Sequence, residues 1–487
     1  MYHTIAYLAE SPHDASMLWT GSDDGLVHVT QDGGKNWSNV TPSEIGEALI
    51  NTIEVSPHEP GTAYLAITRY KFNDFTPHIF KTTDYGNSWT RLVDGIDDEA
   101  FVRVVREDPQ RKDLLYAGTE TGLYISFNGG QQWQPFQLNL PVVPVTDLQV
   151  HRNDLVAATQ GRAFWILDDL TPLHHLNNRV KEASTFLFQP RDTYKTDGSR
   201  DTTAVALGEN PVNGTAIYYY LDEVPEDDSL ALTLENMNEA DSVIRIYTSD
   251  AEKEPQKAPK NSGMNHWVWN LYQNDYEEVK GLMPFQGMQS YRVMPGEYQV
   301  RLAYGEDTLT QSFSVLMDPR VLATEAHLDE YEENLETLDQ SVRDLYLAVR
   351  KMQNVRALVK SMNERLVVDE LNAEVVEVGD EILETIDELE GQLVQMEQKT
   401  FQDVINFPNQ LDTHLKHLKN VIDASVPPVT GGQKQRFSDL MAEWQVRQSE
   451  IQQLMNEAIP AYNQLIQDNN IPYIAIEEEE ATETAMP

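Results

Sequence analysis

Over roughly the first 175 residues, apolar positions recur with period two in short runs, each bounded by Gly, Asp, Asn or Pro. The runs fall into groups. Ile5–Leu8, Met17–Gly21, Gly25–Thr30 and a strand beginning at Trp37 form the first group. Asn51–Ser56, Thr62–Thr68, His78–Thr82 and Trp89–Val93 form the second, and Phe101–Arg106, Leu114–Gly118, Gly122–Ser126 and Trp133–Leu138 the third. Val145–Val150, Leu155–Thr159 and Arg162–Leu167 make a fourth. Four short strands per repeat is the layout of a propeller blade, so the pattern predicts four blades over residues 1–175.

Residues 176–204 contain Pro190 and the polar run Arg191–Thr202 without a period, and read as a connector. Alternation returns in Ala216–Leu221, Leu230–Glu235, Ser242–Thr248, His266–Leu271, Gly296–Ala303 and Thr308–Leu316. These predict a small antiparallel β-sandwich within residues 205–320, immunoglobulin-like in broad terms. After Asp318-Pro319 the period changes to about 3.5. Leu328, Tyr331, Leu335, Leu338, Val342, Leu345, Val349, Met352, Val355, Val359, Met362 and Leu366 step by three or four, which predicts one long helix. Leu371–Met396, Asn409–Ile422 and Gln433–Gln467 follow as further helices. Short links between them predict an antiparallel helical bundle over residues 321–470. Residues 471–487 read as a disordered acidic tail. The expected fold class is therefore multidomain β + α, with partial propeller blades, a sandwich and a C-terminal bundle.

Three of the blade-like groups share a second pattern, Ser/Thr-x-Asp/Asn-x-Gly-x-x-Trp. It occurs as Thr30, Asp32, Gly34 and Trp37, as Thr82, Asp84, Gly86 and Trp89, and as Ser126, Asn128, Gly130 and Trp133, the tryptophans lying 52 and then 44 residues apart. Each part has a structural job. Asp or Asn accepts backbone N–H bonds in a tight turn, Gly supplies a positive φ, and Trp covers the hairpin. Asp168-Asp169 in the fourth group sits at the place where a box would begin.

These motifs resemble the Asp-box, or bacterial neuraminidase repeat, found in sialidases, sortilin-type receptor propellers and large exported bacterial proteins commonly labelled glycosyl hydrolases. The resemblance to the last group extends along the chain. Ala158–Asp169 resembles its last-blade signature, Met264–Leu271 and Pro295–Leu302 its sandwich domain, and Phe407–Leu411 and Tyr462–Ile466 its terminal helices. Members of that group are typically about twice as long, with an export signal and more blades upstream. The resemblance therefore implies a C-terminal half, with the missing N-terminal blades of the same protein as its partner, in an exported protein that is periplasmic, outer-membrane-associated or secreted. An unclosed ring would also leave blade faces unpaired, which points the same way.

The formal net charge of −43 argues against nucleic acid or an anionic membrane as partner. The acids are spread along the chain, so solubility explains them better than a specific cationic ligand. There is no cysteine, which removes disulfides, thiolate metal sites and thiol nucleophiles. No apolar run reaches membrane-spanning length, and the first residues lack the features of a signal peptide.

No phosphate loop, nucleophile elbow or dinucleotide fingerprint occurs, so no cofactor is expected. Sialidases on the resembled fold use an arginine cluster, a Tyr/Glu nucleophile pair and an acidic donor. Candidate parts here are Arg69, Tyr70, Arg103, Arg106, Glu107 and Arg162, none in a spacing that marks a catalytic set. Arg103 and Arg106 lie on an innermost-type strand, where inter-blade ion pairing is the plainer reading. Between the second and third strands of the second group runs Arg69–His78, with Tyr70, Phe72, Phe75 and His78 among charges. Interleaved aromatics and charges on a loop suit peptide or glycan recognition, although packing onto a neighbouring blade explains the aromatics as well. His414 and His417, three apart on a helix, lack a third ligand, so no metal is expected. Two functions follow: a non-catalytic binding or scaffold module, favoured because no acid–base pair can be named, and part of a glycoside hydrolase. An immunoblot of source cells against the helical region should show a polypeptide near twice 55 kDa; a band near 55 kDa would make this a self-contained protein.

Overall fold

The computed structural model describes residues 3–196, 208, 210–225, 227–237, 242–252, 256–366 and 373–471. Residues 197–204 of the expected connector and 472–487 of the expected tail lie outside these. The chain divides into two compact units, residues 1–191 with 218–224 and 261–265, and residues 192–217, 225–260 and 266–487.

The first unit contains consecutive antiparallel meanders. Blade 1 is β1 (Ile5–Glu10), β2 (Leu18–Ser22), β3 (Val27–Thr30) and β4 (Ser38–Asn39). Blade 2 is β5 (Leu49–Val55), β6 (Ala63–Thr68), β7 (Ile79–Thr82) and β8 (Thr90–Arg91). Blade 3 is β9 (Val102–Glu107), β10 (Leu115–Thr119), β11 (Leu123–Ser126) and β12 (Gln134–Pro135). Blade 4 has three strands, β13 (Val145–His151), β14 (Asp154–Thr159) and β15 (Phe164–Leu167). Asp169 does not open a fourth box. Its carboxylate instead accepts from the Thr171 N–H at 3.1 Å and hydroxyl at 2.5 Å, at the start of α1 (Thr171–His175). The region read as a connector also forms α2 (Asn178–Glu182) and β16 (Thr185–Leu187), which pairs antiparallel with Tyr219–Leu221.

The blades hold together through three shared cores. Trp19, Val27 and Val29 of blade 1 meet Ile53, Leu65 and Phe80 of blade 2. Tyr64, Ala66 and Ile79 on the opposite face of blade 2 meet Val105, Leu115 and Ala117 of blade 3. Tyr116, Leu123 and Ile125 of blade 3 then meet Leu148, Leu155 and Ala157 of blade 4. Because strand side chains alternate, successive residues of one strand serve opposite neighbours, and every residue of β6, β10 and β11 is buried. The outer faces of the end blades differ. Phe164 and Ile166 of blade 4 stand at the register positions of Leu123 and Ile125 of blade 3, yet are 75% and 57% exposed against 6% and 0%. On blade 1, Leu8 is 62% exposed.

Each innermost strand carries a bulge at the same place, skipping Ala6, Asn51, Arg103 and Thr146 in the pairing with the second strand. A bulge leaves one residue unpaired in the ladder and re-aims its side chain.

In the second unit, a five-stranded sheet has the order β17 (Thr193–Lys195), β23 (Asp307–Met317), β22 (Gly296–Tyr304), β19 (Leu230–Asn236) and β20 (Ser242–Thr248). β17 pairs parallel with β23, so the sheet is mixed where all-antiparallel pairing was expected. Trp269 packs edge-on against Tyr298 and Phe313, forming an aromatic core on one side. The helical region consists of α3 (Glu325–Leu366), α4 (Ala373–Leu393), α5 (Leu411–Asp423), α6 (Gly431–Gln453) and α7 (Ile459–Asp468) around one core. A π-turn over Leu454–Ala458 joins α6 to α7 where Pro460, lacking an N–H, cannot continue α-helical bonding.

This core contains charges. Asp412, Lys416, Lys419 and Asp423 form one buried stripe of α5. The Lys416 ammonium donates to the Tyr346 hydroxyl at 2.6 Å and lies 3.4 Å from Asp412. That of Lys419 donates to the Ser290 carbonyl at 2.6 Å and sits 5.0 Å from the Tyr276 ring centre. Asp423 is 3.2 Å from Arg292 and 3.4 Å from Lys195, which lies over Tyr331. Burial pulls Lys195 and Lys419 down to about 8, against the pull of Asp423 and Asp339. Lys416→Ala should destabilise the chain by about 3–5 kcal/mol, because it strands the Asp412 charge inside; Lys416→Met combined with Asp412→Leu should recover most of that loss. Urea unfolding followed at 222 nm checks both, and equal costs for the single and double variants would show that the pairing is not the cause.

Candidate functional site

The three boxes fold alike. In the first, the Thr30 hydroxyl donates to Asp32 at 2.8 Å and accepts from the Gly34 N–H at 3.0 Å, while Asp32 accepts from the Asn36 N–H at 2.9 Å. The hydroxyl and carboxyl or amide roles repeat in Thr82/Asp84 and Ser126/Asn128, with distances within 0.1 Å. The Asn36 N–H is the main cause that lowers Asp32 to about 2. The tryptophans then differ by position. The Trp89 indole donates to the Val40 carbonyl at 2.7 Å and that of Trp133 to Leu92 at 3.1 Å, each joining its blade to the preceding one. Trp37 donates within its own turn, to Gly34 at 3.1 Å, and is 42% exposed. The boxes join the third strand of each blade to the fourth, at the end of the blade opposite the loops between its second and third strands.

Chain segments that leave the second strand of a blade and those that enter the first strand share one rim, since both lie at the same end of a meander. On this rim six of the predicted residues come together or lie adjacent. Arg69 sits 3.1 Å from Asp74 and donates to the Ile45 carbonyl. Tyr70 stacks on Phe101 with centroids 5.2 Å apart and planes at 21°; Phe75 tilts onto the same ring at 6.2 Å. Phe72 and Phe75 remain 44% and 45% exposed. His78 lies 3.2 Å from Asp74, and burial lowers its pKa more than that carboxylate raises it, so it is neutral near pH 7. Arg103, on the bulge of blade 3, lays its guanidinium 5.1 Å from the Phe101 centroid and pairs with Glu120 at 2.6 Å.

Arg106 and Arg162 are not part of that group. Arg106 points inward and ties three blades: it pairs with Glu54 of blade 2 at 3.2 Å and Asp147 of blade 4 at 2.8 Å, and donates to the Leu148 carbonyl at 2.7 Å. Burial raises the Glu54 carboxyl to about 7 despite Arg106. Each carboxylate accepts from a different nitrogen of one guanidinium, the arrangement of an inter-blade ion triad. Glu107 is buried beside it, its second carboxylate oxygen without a hydrogen-bond partner. Arg162 is exposed on the corresponding loop of blade 4 and donates to its own neighbour, the Gly161 carbonyl, at 3.3 Å. His414 and His417 do not complete a site: among the described residues no group of three or more His, Asp or Glu side chains is placed to hold a metal ion.

One set of contacts was missed from sequence. The first turns of blades 1 and 2 read Ser11-Pro12-His13 and Ser56-Pro57-His58, and that of blade 3 reads Asp108-Pro109-Gln110. His13 lies 3.1 Å from the Ser56 carbonyl, His58 lies 2.8 Å from that of Asp108, and Gln110 donates to Asn153, so each turn holds the next. The repeated Ser-Pro-His was the available signal.

No protein-family model matches the chain, and no curated protein does. Among solved structures it is similar to YCF48 from Cyanidioschyzon merolae, at 16% identity over 34% of this chain and 54% of that one, with a TM-score of 0.28. A YCF48 bound to D1 peptide matches at 12% identity over 64% and 82%, TM-score 0.28. A GH74 enzyme of Niastella koreensis matches at 12% over 64% and 46%, TM-score 0.29. The chain thus spans about half the length of the first and third.

The box glycines test the blade contacts with an internal control. An added Cβ at Gly86 would stand 2.6 Å from the Val40 Cβ of the preceding blade, whereas at Gly34 it meets only its own Trp37 at 3.9 Å. Both have φ near +87°, at +87 and +88. Gly34→Ala should cost about 1–2 kcal/mol from the backbone alone, and Gly86→Ala about 1–3 kcal/mol more. Equal shifts in urea unfolding would mean that Val40 yields freely and the blade contact is slack.

Proposed function

We propose that this chain is a non-catalytic, propeller-based binding or scaffold module of a large exported bacterial protein, taking a peptide or glycan on the rim where blades 2 and 3 meet. The supporting observation is the Tyr70–Phe101–Phe75 stack with the Arg103 guanidinium on the same ring and half-exposed Phe72 beside it. Aromatic faces at fixed positions stack on sugar rings or peptide side chains at little entropic cost, and a guanidinium beside them presents directed donors. The scaffold part of the proposal concerns the exposed apolar residues Leu8, Phe164 and Ile166, which would pack on further blades of the same protein in a larger ring. Asp-box kinship of the sortilin type and an immunoglobulin-like ancestry for the five-stranded sheet belong to the same reading.

The alternative is a glycoside hydrolase. Glu54, with its carboxyl near 7, and Asp147 are the pair that would serve as acid and base. It ranks second because one guanidinium, that of Arg106, holds both carboxylates.

Glycan and peptide arrays probed with the full chain, followed by titration of the strongest binder, test the proposal. Phe75→Ala and Arg103→Ala should each weaken binding about tenfold or more. Binding indifferent to both variants, or none on either array, removes the rim reading. Cleavage of an arrayed glycan that disappears in Glu54→Gln favours the hydrolase.

A further inference from the structure

In the second unit a cleft of about 1030 Å³ runs between α3 and α6. It exists because α6 buries only Leu440 and Trp444 among its 23 residues, resting on the core along one narrow stripe. Phe437, Met441 and Trp444 of α6 and Tyr291 supply its apolar lining, and Thr337 and Ser341 are among the small polar residues that α3 contributes. The lining extends from Glu336 to Asp344 on α3 and from Phe437 to Gln448 on α6, roughly 12 to 16 Å at the helical rise.

Two properties define the occupant. The walls are helices, whose backbone N–H and C=O groups are bonded within themselves. An extended peptide would therefore find no sheet edge to pair with and would leave its own backbone groups unsatisfied, whereas a helix arrives with them satisfied. The rim is acidic. Glu336 and Asp344 border the cleft, and Arg343, the cation among the lining residues, is held by Asp339 at 2.8 Å and donates to the Asn274 carbonyl at 2.7 Å.

We propose that this cleft docks an amphipathic helix of a partner protein, with aliphatic residues spaced i, i+3, i+4 and i+7 on its inner face and Lys or Arg on its flanks. The aliphatic stripe would cover Phe437, Met441 and Trp444, and the flanking cations would reach Glu336 and Asp344.

The probe is a fluorescent, end-capped Leu/Lys peptide of about 14 residues with leucine at that spacing, titrated with the full chain by anisotropy near 150 mM salt. A second peptide of identical composition has its leucines scattered round the helix. The first should bind at least tenfold more tightly than the second. Ala442→Arg, at an exposed lining position where Arg is a good helix former, should weaken the first peptide at least tenfold. Leu358→Arg, about 21 Å further along α3 from Asp344, should leave it unchanged. Equal binding of the two peptides, or binding indifferent to Ala442→Arg, would mean that only the net charge of −43 is being read, and the proposal falls. Absence of binding by either peptide overturns it as well.

Discussion

A blade is a sheet with two apolar faces, and each face needs another sheet to cover it. That constraint governs the first unit. It explains why the middle strands of blades 2 and 3 are apolar at nearly every position while their chain neighbours at the ends alternate between wet and dry. It also explains the division of labour at each end of the blades. The boxes and the Ser-Pro-His turns use their side chains to hold one blade to the next, through Trp89, Trp133, His13 and His58. With adhesion assigned to that end, the loops at the other end are free to differ in length and composition, and there the Arg69–His78 loop departs most from its counterparts.

How much of this was legible in sequence depends on the range of the interaction. Strand positions and boxes were readable because Gly34, Gly86 and Gly130 answer to backbone geometry inside one turn, and that geometry repeats. The long helix was readable because Tyr331 to Leu366 keep a period that no strand shares. What stayed hidden was set by partners far along the chain. Arg103 and Arg106, three residues apart on one strand, were read together, but the bulge turns Arg103 to the rim while Arg106 meets Glu54 and Asp147 some fifty and forty residues away. Arg162 resembled them in composition and shares nothing with them in space. β17 was invisible because a three-residue strand on a sheet edge has too few positions to show alternation.

The stripe on α5 shows the same limit in a different form. Asp412, Lys416, Lys419 and Asp423 sit at helical spacing, a pattern that usually marks a solvated helix face. They are buried, and the stripe is tolerable only because these charges have fixed partners: Asp412 and the Tyr346 hydroxyl for Lys416, the Ser290 carbonyl and the Tyr276 ring for Lys419, Arg292 and Lys195 for Asp423. Asp412 apart, those partners come from β17, from the segment between β21 (Gly263–Trp269) and β22 and from α3, so no local pattern on α5 could reveal them.

Such a network costs stability relative to a hydrocarbon core of the same shape, which leaves its geometric strictness as the property it contributes. A leucine at position 416 or 419 would accept many packings, whereas an ammonium that must reach one carbonyl and one ring accepts few. The network therefore fixes the register of α5 against α3 and against the Tyr276–Arg292 segment more sharply than apolar contacts do. The contrast within the same unit is α6, whose two buried residues impose no comparable register and leave a cleft along its length. In this helical region, strict polar matching holds one helix in place, and the absence of it beside another leaves room for something else to bind.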